Sequence, residues 1–137
     1  QLVRRTTLWA DVAHPVNIGT HGDDRSDVGE TLRKVNIEDC DILYARTNAV
    51  LNLSCGDKNW IRDISFRNIR VERVDSTALI GMAVIFGDKY NRAPGNGIDH
   101  VTFENIRFTG DPAQLRPNFF RDYDENHCIG KDIIIKQ

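Results

Sequence analysis

Apolar and polar residues alternate with a period of two in several short runs of this chain. Three of the runs align: "LRKVNIEDCDI" from Leu32, "IRDISFRNIRV" from Ile61 and "IDHVTFENIRF" from Ile98. Each reads apolar, x, apolar, x, Asn or Asp, apolar, x, apolar. A shortened copy, "KDIIIKQ", ends the sequence, and a weaker one, "VRRTTLWADV", starts at Val3. Period-two alternation with β-branched residues at the apolar positions predicts strands, and no long run carries the 3.6-residue period of a helix. The Asx-like position falls at Ala10, Asp39, Asn68, Asn105 and Gln137, at spacings of 29, 29, 37 and 32 residues. Each copy therefore predicts two short strands hinged at one residue. Asn and Asp suit that hinge because they tolerate left-handed backbone angles and hydrogen-bond locally.

A second series runs between these copies. "VNIGTHGDD", "LNLSCGDKN" and "MAVIFGDKYN" each end a strand in Gly-Asp, with glycines at 22, 56 and 87. Strands recurring about every thirty residues without intervening helices predict an all-β fold, a right-handed parallel β-helix of about four to five coils in a single domain, 1–137. A β-sandwich would need turn signals every 8–12 residues and tight hairpins, and Asn96-Gly97 is the one such dipeptide. In a β-helix, hinge asparagines stack and are expected to bond the backbone of the next coil. Asp23, Asp57 and Asp88 are expected in a column about 4.8 Å per coil. Lys58 and Lys89 would compensate that charge, or a hard cation such as Ca²⁺ would bridge it.

Composition narrows the function. Net charge is −2, with 18 basic and 20 acidic residues intermixed and no basic stripe, which argues against nucleic acid as a partner. No apolar run approaches the ~20 residues of a membrane span. Cys40, Cys55 and Cys128 lack metal-ligand spacing and read as buried free thiols. Gln1-Leu2-Val3-Arg4-Arg5 leads straight into a strand pattern, as expected of a mature chain or an excised piece of a longer solenoid.

The segments "LWADVAHPVNIGTHGD", "VNIEDCDIL", "IRDISFRNIRVERV", "YNRAPGNGIDHVTFENIRFTG" and "DYDENHCIGKDIIIKQ" together resemble the right-handed β-helix glycosidases of the polygalacturonase type. The likeness runs from Leu2 to Gln137. It implies a secreted or periplasmic protein that acts on or binds plant-type polysaccharide or oligosaccharide. "AHPVNIGTHG" is similar to the family's Gly-His-Gly strand, which implies a catalytic place for His14, although Ala13 and Pro15 stand where that motif has glycines. The Arg-Ile-Lys strand expected one coil later is "AVLNLSC" here, without arginine or lysine. The family's catalytic aspartates lie upstream of the histidine, and only thirteen residues precede His14. The resemblance is thus to the C-terminal part of such an enzyme, and the alternative function is a noncatalytic carbohydrate-binding or scaffold piece.

Inverting glycoside hydrolysis needs two carboxyl groups about 6.5–9.5 Å apart. The acids nearest His14 in sequence are Asp11, Asp23 and Asp24, which complete the candidate catalytic set. His21, Asn17, Asn52, Trp60 and Tyr90 are the candidate saccharide contacts. On a strand Val16 and Ile18 share the core face with His14 unless Pro15 shifts the phase. The irregular stretch "TGDPAQLRPNFFRDYDENH" is long enough to serve a function or to pack over one end. Strand edges exposed at the two ends, Leu2–Val12 and Ile133–Ile135, imply a homo-oligomer, a two-fold dimer joined end to end.

Overall fold

A computed structural model describes residues 1–137 except Asp24, Ser26 and Asp88. The described residues form strands and one short 3-10 turn, Pro112–Gln114. The strands are β1 (Leu2–Arg4), β2 (Thr7–Ala10), β3 (Val16–Gly19), β4 (Thr31–Ala45), β5 (Ala49–Cys55), β6 (Trp60–Val71), β7 (Thr77–Val84), β8 (Gly97–Phe108), β9 (Leu115–Arg116), β10 (Phe119–Arg121), β11 (Cys128–Ile129) and β12 (Ile133–Lys136). A seven-stranded sheet holds β1, β2, β4, β6, β8, β11 and β12, and a five-stranded sheet holds β3, β5, β7, β9 and β10. Along the chain the path alternates between the two sheets. Every strand pairing among the described residues is parallel. Parallel neighbours cannot be joined by a two-residue turn. Each strand therefore meets its partner only after the chain has crossed to the other sheet and returned.

The core lies between the sheets and is drawn from both: Ile37, Cys40, Ile42, Ile61, Ile64, Phe66, Ile69, Val101 and Phe103 from one, Leu51, Leu53, Ile80, Met82 and Val84 from the other. Phe66 and Phe103 stack with ring centroids 5.0 Å apart. Val16 and Ile18 pack against this core, as their strand phase implies. Cys40 and Cys55 are buried free thiols and Cys128 is half-buried. Burial pushes the Cys55 thiol up to about 11.

The long strands are bent, and the bends explain the repeat. Asp39, Asn68 and Asn105 have φ of 53°, 54° and 55°. Register sets them side by side, because Cys40 pairs with Ile69 and Ile69 with Ile106. A left-handed residue resets the alternation, so the inward residues flanking it are three apart: Ile37 and Cys40, Phe66 and Ile69, Phe103 and Ile106. The side chains bond to one another rather than to backbone. Asn68 Nδ2 donates to Asp39 Oδ1 at 3.1 Å, and Asn105 Nδ2 to Asn68 Oδ1 at 2.9 Å.

Three expectations are corrected here. Ala10 is not the first member of this ladder. Leu2 pairs with Asn36 and Arg4 with Glu38, which brings Arg5, at φ 52°, beside Asp39. Each copy has two hinges, not one, since Lys34, Asp63 and His100 are also left-handed (φ 56°, 55° and 51°). The Gly-Asp turns do not stack as expected either. Asn17 pairs with Asn52, 35 residues on, and Leu51 with Ile80, 29 residues on. The glycines are 34 and 31 apart, so this register sets Gly22, not Asp23, beside Asp57. The stretch after Gly110 does pack over one end, and it does so as strands: it supplies β9, β10 and β11, which pair with β7 and β8.

Candidate functional site

The Gly-Asp turns build a cleft instead of a column. It is lined by His21, Gly22, Asp57, Lys89, Tyr90, Asn91 and Arg92 and encloses about 310 Å³. Its first wall begins at Gly19, whose φ of 97° ends β3; a Cβ there would lie 2.1 Å from the Ser54 carbonyl oxygen, so only glycine fits. The chain then passes through Thr20, φ 78°, into His21 and Gly22. The second wall comes from the segment after β7, which folds back so that Gly56 bridges Pro94.

Two buried asparagines hold the walls together. Asn59 Nδ2 donates to the His21 carbonyl at 3.0 Å. Asn91 Nδ2 donates to the Thr20 carbonyl, and its Oδ1 accepts from Gly87 N at 3.0 Å. Both follow the same turn, "GDKN" and "GDKYN". Asn59 Oδ1 has no hydrogen-bond partner among the described residues.

Asp57 forms the floor and is 4% exposed. Oδ1 accepts from Arg92 N at 2.8 Å and Oδ2 from Gly22 N at 3.2 Å. Burial raises its carboxyl pKa, but the N–H donors of Arg92, Asn91, Gly22 and Ala93 outweigh it and hold the group below the ordinary carboxylate value. Asp57 is thus an ionised anchor that ties the two walls. At the mouth, Tyr90 is 53% exposed. His21 meets it edge to face with ring centroids 5.8 Å apart, and His21 Nδ1 donates to the Tyr90 carbonyl at 2.9 Å. Lys89 Nζ stands 5.1 Å from the Tyr90 ring centroid.

Of the expected saccharide contacts, His21 and Tyr90 therefore share this cleft. Asn17 and Asn52 do not reach it: Asn52 Nδ2 donates to Asn17 Oδ1 at 2.8 Å and to Ser54 Oγ at 2.9 Å. Trp60 lies elsewhere, half-buried under the Arg62 guanidinium at 4.1 Å and packed on Gly97. Three of the four expected catalytic residues are described, and each is engaged by another group of the chain. His14 Nδ1 donates to the Ala49 carbonyl at 2.7 Å. Asp11 accepts from the Trp9 indole N–H. Asp23 pairs with Arg25 at 2.9 Å, and the Arg25 hydrogen bond lowers its carboxyl pKa. Asp24 lies outside the described residues.

The carboxylates expected to bridge a calcium ion are likewise separated in role. Asp23 faces Arg25, Asp57 serves backbone N–H groups, and Asp88 lies outside the described residues. A different group of potential ligands, not anticipated from the sequence, lies on the second hinge ladder. Asp99, His100 and Asp132 bring their donor atoms within 4.8 Å of one another. His100 Nδ1 stands 3.3 Å from Asp132 Oδ2 and Nε2 3.8 Å from Asp99 Oδ2, so the imidazole already lies between the half-buried Asp99 and the exposed Asp132. The sequence signal for this group was the 32-residue spacing that brings Asp132 under His100. No helix of the described residues is long and apolar enough to cross a membrane. No protein-family model, curated protein or solved structure matches the chain.

Proposed function

We propose that this chain is a section of a right-handed parallel β-helix that binds an acidic polysaccharide or oligosaccharide in the cleft between His21 and Tyr90, without hydrolysing it. The observation that carries the reading is the makeup of that cleft. An exposed tyrosine ring stands at the mouth, edged by an imidazole and by Lys89. The floor carboxylate is committed to backbone donors, and the Lys89 ammonium stands beside the ring at the mouth. A planar ring offers a stacking surface to the apolar face of a pyranose, and the Lys89 ammonium suits a uronate carboxylate. The sequence resemblance to pectin-acting β-helices supports the same ligand class.

Hydrolysis is set aside because the reaction needs a spaced pair of carboxyl groups, one to protonate the leaving oxygen and one to activate water. Asp11 and Asp23 are each tied to a neighbour in sequence, and His14 is tied to a carbonyl. Calorimetric titration with oligogalacturonides and with neutral oligosaccharides of the same length tests the proposal, run beside a reducing-sugar assay. The expected result is binding that prefers the acidic ligand, no release of reducing ends, and a weakening of roughly three- to tenfold in Tyr90→Ala, the scale of one lost ring contact. Turnover that disappears in His14→Ala would overturn it and restore the enzymatic reading.

A further inference from the structure

Three acidic positions surround His100 on the seven-stranded sheet. Register puts Asp63 beside it on one rung, because Arg62 pairs with Asp99 and Ile64 with Val101. Asp132 stands beside it on the next rung, because Ile133 pairs with Val101. Asp99 precedes it in β8. Elsewhere on this sheet acids meet basic side chains across the rungs. Arg67 Nη2 lies 2.9 Å from Glu38 Oε2, Lys136 Nζ lies 3.7 Å from Glu104 Oε1, and Arg70 pairs with Asp41. Around His100 the pattern stops. Asp99 and Asp132 meet the imidazole, and no lysine or arginine among the described residues forms an ion pair with either of them or with Asp63. Arg62, next to Asp99 in register, lays its guanidinium over the Trp60 ring at 4.1 Å instead. An imidazole carries at most one positive charge against three carboxylates.

The backbone sets these side chains relative to one another. Asp99 Oδ1 accepts from His100 N at 2.9 Å and from Asp132 N at 3.3 Å, so the same oxygen fixes both other residues and leaves Oδ2 facing the imidazole. Gly130 makes room for that carboxylate, since a Cβ there would lie 2.6 Å from Asp99 Cγ. The donor atoms of Asp99, His100 and Asp132 lie within 4.8 Å of one another. Metal bonds of about 2.0–2.2 Å in a tetrahedral site put neighbouring ligand atoms roughly 3.3–3.6 Å apart. His100 Nδ1 and Asp132 Oδ2, at 3.3 Å, already have that separation. Bringing Asp99 to it takes a shift of roughly 1 Å.

We propose that Asp99, His100 and Asp132 bind a divalent transition-metal ion of the zinc class. One imidazole nitrogen with two carboxylate oxygens suits such an ion better than calcium, which takes six to eight oxygens. The ion supplies the positive charge that the neighbouring columns draw from arginine and lysine, and it ties two successive rungs together. Three protein ligands leave a coordination position open. His100 and Asp132 border a groove of about 420 Å³ that Asn36, Ser65 and Thr102 also line, so a water or a ligand oxygen completes the shell from that side. This groove shares no lining residue with the cleft between His21 and Tyr90, and neither proposal rests on the other.

The test titrates the full chain with zinc chloride and with calcium chloride, by calorimetry and by amide NMR. One Zn²⁺ per chain is expected, with shifts centred on residues 98–102 and 130–134, and Ca²⁺ is expected to bind at least tenfold more weakly. His100→Asn, which keeps a residue tolerant of the left-handed angle, and Asp132→Asn are each expected to weaken Zn²⁺ binding by more than tenfold, the least that losing a supporting partner costs a metal site. His127→Asn/Cys128→Ser, which removes another neighbouring pair of zinc-binding side chains, is expected to leave it unchanged. The shifts in the unchanged chain test the site whether or not a variant folds. Absence of saturation at millimolar Zn²⁺ overturns the proposal, as does equal affinity for Ca²⁺. So do shifts centred away from these two segments, unchanged affinity in both His100→Asn and Asp132→Asn, or loss of binding in His127→Asn/Cys128→Ser.

Discussion

Asp57 shows how one side chain fixes a site without taking part in its chemistry. Its two oxygens each take a backbone N–H from a different wall of the cleft. Those donors favour the ionised form in the folded protein and are absent in the unfolded chain, so the folded pKa lies below the ordinary value of 3.8. A group with a depressed folded pKa contributes stability that is present above its unfolded value and is lost as pH falls through the folded one. The expected outcome is that the unfolding midpoint in urea drops on acidification below about pH 4, and drops less in Asp57→Asn. Parallel pH profiles for the two proteins would show that Asp57 is not the anchor described. The residue scale is also where the sequence was least legible. His21 and Tyr90 are 69 positions apart. What joins them is the shared behaviour of Asn59 and Asn91, each of which reaches back to a carbonyl of the Thr20–His21 segment. The common "GDK" preceding both was visible as a turn signal; the reach of the asparagines was not, because it depends on where the earlier strand ends.

Elements are set by their hinges. In Asn68 one amide accepts from Asn105 and donates to Asp39, while its backbone holds a φ of 54°. Replacing it by Leu removes both hydrogen bonds and puts a bulky side chain in the left-handed region, which costs about 1–2 kcal/mol by itself. Asn68→Leu is expected to lose roughly 2–4 kcal/mol in urea unfolding, with the bonds adding their own share. Asn68→Gly, which keeps the backbone angle free, is expected to lose less than half of that; equal losses would mean that the angle carries no cost. This ladder was legible because Asn and Asp recur at it. The second hinge was not, because Lys34, Asp63 and His100 share a backbone angle and no chemistry. Ala10 entered the reading for a related reason: the register of β2 shifts between Leu8 and Trp9, and the alternation there imitates the hinge pattern. The Gly-Asp series misled by one residue, since a spacing of 34 between glycines stands against a strand register of 35.

At the scale of the whole molecule the parallel register carries a kinetic consequence. Neighbouring strands are joined by at least 29 residues, as Asn36 with Ser65, and by as many as 38, as Gly81 with Phe119. Among the described strands there is no hairpin whose ends meet early. The first rung can form only by closing a loop of about thirty residues, an entropic cost met before any core is gained. Each later crossing lays its strands on an edge already in place. Refolding is therefore expected in milliseconds to seconds, as for other domains of high contact order, and stopped-flow fluorescence should show Asn68→Gly slowing the folding limb while Tyr90→Ala leaves it unchanged. During that interval the growing edge is unpaired at both ends of the stack, so the yield of refolded protein is expected to fall with chain concentration: assembly by successive layering makes dilution, more than temperature, the condition that decides between one chain completed and two chains entangled.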